Sequence, residues 1–275
     1  MRRADLFRAA AVVVMLGAFC RPAAAQQTLD LGIESPDIHN FIGAGVGVVP
    51  DYMGSDNYTV GVAPVGRLQL GNKDRYLRLV ATDLQANLIN SPTFNFGPAF
   101  NYRLARKDVD DPVVDRLREI DGAFEVGAFA GFNWTGKPDP RQRFSVAIEF
   151  LHDVSGKHDG YIVTPSARYW HPVSRAVTLT LGASTTYGSS SYMQTYFGID
   201  PDNSARSGLP VFNASNGFRD VRISPGAIFS LSPQWHIAAG AIYSRLVEDA
   251  SNSPVTSIRG SSDQLFAGLG VMYAW

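Results

Sequence analysis

Gln264-Leu265-Phe266-Ala267-Gly268-Leu269-Gly270-Val271-Met272-Tyr273-Ala274-Trp275 closes the sequence with a two-residue rhythm. In an extended strand, successive side chains point to opposite faces. Leu265, Ala267, Leu269, Val271, Tyr273 and Trp275 then share one apolar face, and Gln264, Gly268, Gly270 and Ala274 share the other. An apolar stripe backed by small and polar residues is the pattern of a barrel wall between lipid and a polar lumen.

The same pattern recurs upstream. In 176–187, Val177, Leu179, Leu181, Ala183 and Tyr187 alternate with Thr178, Thr180, Gly182, Ser184 and Thr186. In 122–134, Phe124, Val126, Ala128, Ala130, Phe132 and Trp134 face outward, against Glu125, Gly127, Gly131 and Asn133. Aromatics close the stripes, where an interfacial girdle places them. Further strands are expected at 41–49, 58–70, 93–104, 142–152, 160–171, 218–230 and 235–247, each about the length of a tilted membrane strand. Six charges fall on the inward phase: Arg67, Arg103, Glu125, Glu149, Arg168 and Arg222. Facing lipid they would be costly. Facing a polar lumen they are tolerated, above all when paired.

Bulk composition agrees. Of 275 residues, 45% are hydrophobic and only 18% charged, below the roughly 25% charged of an average soluble chain. No apolar run after Ala25 is long enough for a membrane helix, so a membrane location requires a closed barrel that satisfies every backbone group. The first 25 residues form a separate unit: Arg2 and Arg3, an apolar run from Ala9 to Phe19, then Ala23-Ala24-Ala25. That is the layout of a secretory signal peptide cleaved between Ala25 and Gln26. Cleavage removes four of 24 basic and one of 25 acidic residues, along with Cys20, the only cysteine, and leaves a net charge of −4. Disulfides and thiolate metal sites are then excluded. The weak acidity argues against nucleic acid as a partner. Residues 26–40 are expected to form a periplasmic segment, and 41–275 the barrel.

Link lengths set the direction. Short links at 137–142, 171–175 and 232–234 contrast with long ones at 105–121, 188–217 and 248–262. Barrels of this kind have short periplasmic turns and long outer loops. With the N-terminus inside, an even strand number is required. Splitting 75–89 into strands near 76–81 and 84–89 gives about twelve; leaving 71–92 outside the wall gives ten.

Several loops resemble those of a known family. Pro50-Asp51-Tyr52-Met53-Gly54-Ser55-Asp56-Asn57-Tyr58 is similar to the early loop of the MltA-interacting protein (MipA)/OmpV family, with Met53 standing where an acidic residue is expected. Asp108-Val109-Asp110-Asp111-Pro112, Ile120-Asp121 and Glu125-Val126-Gly127-Ala128-Phe129 resemble its central signature. His158-Asp159-Gly160, Tyr192-Met193-Gln194-Thr195-Tyr196-Phe197-Gly198, Ser207-Gly208-Leu209-Pro210 and Tyr273-Ala274-Trp275 resemble later parts. The resemblance implies a Gram-negative outer-membrane barrel. It also implies a non-enzymatic scaffold that links a lytic transglycosylase and a murein synthase to the membrane. Tyr273 and Trp275 resemble the terminal aromatics read by the barrel-assembly machinery. A small-solute channel and a surface adhesin are the alternatives.

Candidate chemistry is sparse. His152, Asp153 and Ser155 lie close in sequence, but neighbours on a strand point to opposite faces, which spoils a catalytic triad. No cofactor is expected, nor an enzyme. Asp108, Asp110, Asp111 and Asp115 form an acidic cluster with oxygen ligands suited to Ca²⁺, or else a solvated turn around Asp110-Asp111-Pro112. His39, His171 and His236 fall in no metal-ligand spacing. The lumen arginines either attract anions or pair with Glu125 and Glu149 and fill a narrow interior.

Overall fold

The computed structural model describes residues 36–275, without the side chains of Asn72 and Lys73. The expected signal peptide (residues 1–25), its cleavage point at Ala25 and Gln26, and residues 26–35 lie outside the described residues. Twelve antiparallel strands close into one barrel. They are β1 (Phe41–Pro50), β2 (Tyr58–Leu70), β3 (Asn72–Val80), β4 (Asp83–Asn87), β5 (Phe94–Arg103) and β6 (Ala123–Thr135), followed by β7 (Arg143–Asp153), β8 (Tyr161–Pro172), β9 (Val177–Gly188), β10 (Gly217–Ser230), β11 (Trp235–Leu246) and β12 (Asp263–Ala274). Closure joins β1 to β12, from Phe41 opposite Ala274 to Val48 opposite Ala267. It leaves no strand edge unpaired, the condition for crossing lipid with strands.

The count is twelve because 75–89 folds as the short hairpin β3–β4. Its turn lies at Ala81 and Thr82, and β3 ends with Val80 opposite Val65. There β2 continues on to Tyr58, so the wall is lowest at this hairpin.

The outward phase is apolar and exposed: Val60, Phe124, Leu181, Val221 and Leu269 each expose about half or more of their surface. A contiguous apolar belt of this kind suits lipid. Aromatics close both ends of the belt. Tyr102 meets Phe124 at 4.8 Å and Phe150 meets Tyr161 at 5.6 Å at the outer end. Trp134 meets Phe144 at 5.7 Å and Trp235 meets Tyr273 at 5.1 Å at the periplasmic end. Along β6, the steps from Phe124 to Trp134 at about 3.4 Å each, tilted by ~40°, span about 26 Å, the height of such a belt.

The inward phase is filled unevenly. Ile38, Phe41, Val65, Val80, Ile228 and Met272 form an apolar cluster beside β1–β3 and β10–β12. In the same wall, Gly226, Gly240, Gly268, Gly47 and Gly61 stand side by side on five neighbouring strands. A Cβ on Gly47 would lie 2.5 Å from the Ala267 carbonyl oxygen, so that strand approach requires glycine.

The long outer loops are structured. The 189–216 connection carries α1 (Ser190–Phe197) and α2 (Pro201–Ser207); the 247–262 connection carries α3 (Glu248–Asn252) and α4 (Pro254–Ser257). Ser189 caps α1 by accepting from the Tyr192 N–H. Asp200 caps α2, Pro201 opens it, and Gly208, at φ 78°, ends it in the left-handed region. Tyr52, Val109, Val114, Leu117, Ile199 and Val255, drawn from four outer loops, form a separate apolar core. The loops therefore make a cap, not a fringe.

Candidate functional site

The lumen has two ends of different character. At the outer end α1 turns its Tyr192, Met193, Tyr196 and Phe197 side chains inward, onto Ala99, Phe129, Leu151 and Ile162 of the inner wall. Met53 joins this cluster and is buried, so the residue that departs from the family's early loop faces inward and not the surface.

Below the tyrosines lies a buried ion network. Glu125 accepts from Arg103 Nε at 2.8 Å and Nη2 at 3.0 Å, and from Asn101 at 2.7 Å. His158 Nε2 lies 3.0 Å from the same carboxylate. Asp220 accepts from Arg219 Nε at 2.6 Å and faces Arg222 Nε at 2.9 Å. The Tyr192 hydroxyl ties the plug to both groups, accepting from Arg219 at 2.6 Å and Arg103 at 3.3 Å. The Arg103 guanidinium also lies over the Tyr192 ring at 5.0 Å and the Tyr196 ring at 5.6 Å. Charges this deep persist when paired; the Tyr192 hydroxyl adds an acceptor for Arg103 and Arg219, while Arg222 Nε and Asp220 Oδ1 form an ion pair without a hydrogen bond and the Tyr196 hydroxyl has no hydrogen-bond partner among the described residues.

The cap locks onto the plug. Arg106 donates to the Tyr196 carbonyl at 3.2 Å, and Ser253 to the Phe197 carbonyl at 2.6 Å. Burial pulls Arg106 down to about 10 and pushes the Tyr196 hydroxyl well up.

Toward the periplasm the lumen opens into a chamber of about 270 Å³. Its roof is reached by Arg103 and Arg219, and its mouth by exposed His39 and Pro92. Seven arginines line it: Arg67, Arg78, Arg103, Arg143, Arg168, Arg219 and Arg222. The carboxylates in its lining are Asp74, Asp83 and Glu149, with Glu149 accepting from Gln85 at 2.7 Å. Arg67, Arg103, Glu149, Arg168 and Arg222, read from the sequence as lumen-facing, all line the chamber; Glu125 is buried at its roof.

Three contributors were not read from the sequence. Arg78 and Arg143 sit on inward phases of β3 and β7. Arg219 breaks the alternation: a register irregularity between Phe218 and Asp220 turns both Arg219 and Asp220 inward.

The other candidates are dispersed. Asp111 receives Arg259 Nη2 at 2.6 Å and the Val113 and Val114 N–H groups at 2.9 Å. Burial alone would raise it, but Arg259 and these N–H groups hold it below the usual carboxylate range. Asp115 accepts from the Val109 N–H, and the Asp110 N–H donates to Asp51. Among the described residues, no three His, Cys, Asp or Glu side chains converge to hold a metal. Ser155 donates to Asp153 at 2.7 Å, while His152 points out on the opposite, exposed face of β7. His236 is bonded to Ser230 at 2.9 Å, and His171 lies against Tyr169.

Residues 42–275 match the family described as MltA-interacting protein MipA. The chain belongs to that family. Consistent with MipA membership, it is 28% identical over 130 residues to the outer membrane protein Omp26La of Vibrio anguillarum, covering 47% of this chain and 48% of that one. The chain thus spans about half the length of the curated relative it matches. Among solved structures it is similar to the NanC porin (9% identity, 86% of this chain, all of that one, TM-score 0.45). It is also similar to the translocator domain of the autotransporter NalP from Neisseria meningitidis (13% identity, 99% and 96% covered, TM-score 0.38). The MipA-family chain is an outer-membrane β-barrel; what it does there has to be argued from its lumen.

Proposed function

We propose that this MipA-family barrel is a non-enzymatic anchor that gathers peptidoglycan-remodelling enzymes, a lytic transglycosylase and a murein synthase, at the periplasmic face of the outer membrane. The observation that carries this reading is the closed outer end: α1, seated on the Arg103–Glu125 and Arg219–Asp220 pairs, fills the path a solute would take. A barrel shut toward the outside and, among the described residues, open toward the periplasm is suited to periplasmic work. The family's description supports the partner class. The surfaces available to partners include residues 36–40, with the mouth beside them, and the links 88–93, 136–142, 173–176 and 231–234. A non-enzymatic role is supported by the separation of His152 from Asp153 and Ser155. Tyr273 and Trp275, exposed on the outer wall at the periplasmic end, are suited to recognition by the barrel-assembly machinery.

The chamber's arginines favour a small-solute channel as a second reading, but the plug stands against conduction. The test is capture of murein enzymes from periplasm by the purified barrel. Enrichment that falls when the 136–142 and 231–234 links are exchanged supports docking. Capture no greater than by an unrelated barrel of similar size rejects it.

A further inference from the structure

We propose that the periplasm-facing chamber binds a carboxylate-bearing saccharide of about monosaccharide size. The inference does not depend on the docking role, and either can fail without the other.

Three features of the chamber point to this ligand class. The first is charge. Arg103, Arg219 and Arg222 are committed to Glu125 and Asp220 at the roof. Nearer the mouth stand Arg67 and Arg143, whose Nε atoms are buried with no hydrogen-bond partner among the described residues. Arg67 also lies directly opposite Arg78 on the neighbouring strand, and Asp83, 3.8 Å from Arg78, offsets one of these two like charges. A buried guanidinium N–H without an acceptor is costly until one arrives, and a carboxylate matches its planar fork with two parallel bonds.

The second feature is aromatic. Tyr76 lies under the Arg67 guanidinium at 4.1 Å, and Trp170 lies near Arg168 at 5.9 Å. Both rings line the chamber and offer flat apolar faces beside the cations. The third is that the rest of the lining, beside apolar Phe129 and Ile162, includes the uncharged polar Asn95, Asn133, Ser145, Ser166 and Ser184. Uncharged donors and acceptors of this kind suit a hydroxyl-rich ligand. A chamber of about 270 Å³, near the lower end of the ~300–1,000 Å³ range of small-ligand pockets, holds a single small ligand and not a polymer.

The experiment is calorimetric titration of the purified full-length barrel in detergent. Its ligands are glucuronate, glucose as the neutral counterpart and inorganic phosphate as the anion without a sugar. Saturable glucuronate binding is expected, with glucose and phosphate much weaker. Arg67→Gln and Arg143→Gln should each weaken glucuronate about tenfold, the loss of one charged hydrogen bond. Arg245→Gln, on the outer wall beside Asp263, should leave it unchanged. Folding of each variant is checked by its heat-modifiable gel migration. No glucuronate binding at millimolar concentration, equal binding of glucose or phosphate, or full binding by folded Arg143→Gln would each overturn the proposal. The three-ligand comparison on the wild-type barrel decides the case even if the variants fail to fold.

Discussion

The two halves of this lumen use the same residue type for opposite ends. At the chamber's roof each arginine has a carboxylate in contact: Arg103 with Glu125, Arg219 and Arg222 with Asp220; Arg106 above them donates instead to the Tyr196 carbonyl. Two tyrosines from α1 lie on top, and the result is a seal. In the periplasmic half, Arg78 lies 3.8 Å from Asp83, and together with Arg67, Arg143 and Arg168 the arginines outnumber the carboxylates of one shared space. No helix covers that space among the described residues, and the result is a chamber. A lumen arginine therefore says little by itself; whether a carboxylate lies beside it decides whether it is structural or available.

The sharpest way to break the comparison is to remove the outer half's carboxylate. Glu125→Ala strands Arg103 in a site where both side chains are essentially inaccessible. A cost of about 3–5 kcal/mol is expected, read as a lowered urea midpoint for the detergent-solubilised barrel. Tyr192→Phe keeps the ring but deletes the acceptor shared by Arg103 and Arg219. About 1–3 kcal/mol should be lost in the same assay.

The smallest effect belongs to the cap. Arg259→Ala removes a partly exposed partner of Asp111, and less than about 1 kcal/mol is expected. Its signature is in pH. Asp111 is held below its unfolded value of about 3.9, so the contact adds stability above that pH and loses it as pH falls through the folded value. Between pH 5 and pH 3 the unfolding midpoint of Arg259→Ala should therefore fall less steeply than that of the wild type. Parallel slopes would remove Asp111 from the account.

Much of the wall was legible because alternation is a local signal. The long strands fall within a residue of their sequence boundaries, and the parity of short and long links left ten or twelve strands, between which the β3–β4 hairpin decides for twelve. The plug was not legible in the same way. Residues 188–217 read as one long loop, although Ser189 followed by Tyr192, Met193, Tyr196 and Phe197 carries a helix cap and a helical apolar stripe. An apolar helix inside an outer loop was the available signal. Arg219 was hidden for a different reason: a bulge cancels the two-residue rule at that point. Pairing partners such as His158 with Glu125 lie 33 residues apart, a separation that periodicity does not reach. Asp111 read as metal ligand or turn former; the partner that claims it, Arg259, is 148 residues away.

The central claim is that the lumen is shut at its outer end. Single-channel recording of the purified wild-type barrel in planar bilayers tests it most directly. The account predicts a flat baseline from folded, inserted protein, with conductance steps only after residues 190–214 are replaced by a short turn. Regular, resolved steps from the intact wild-type chain would contradict it.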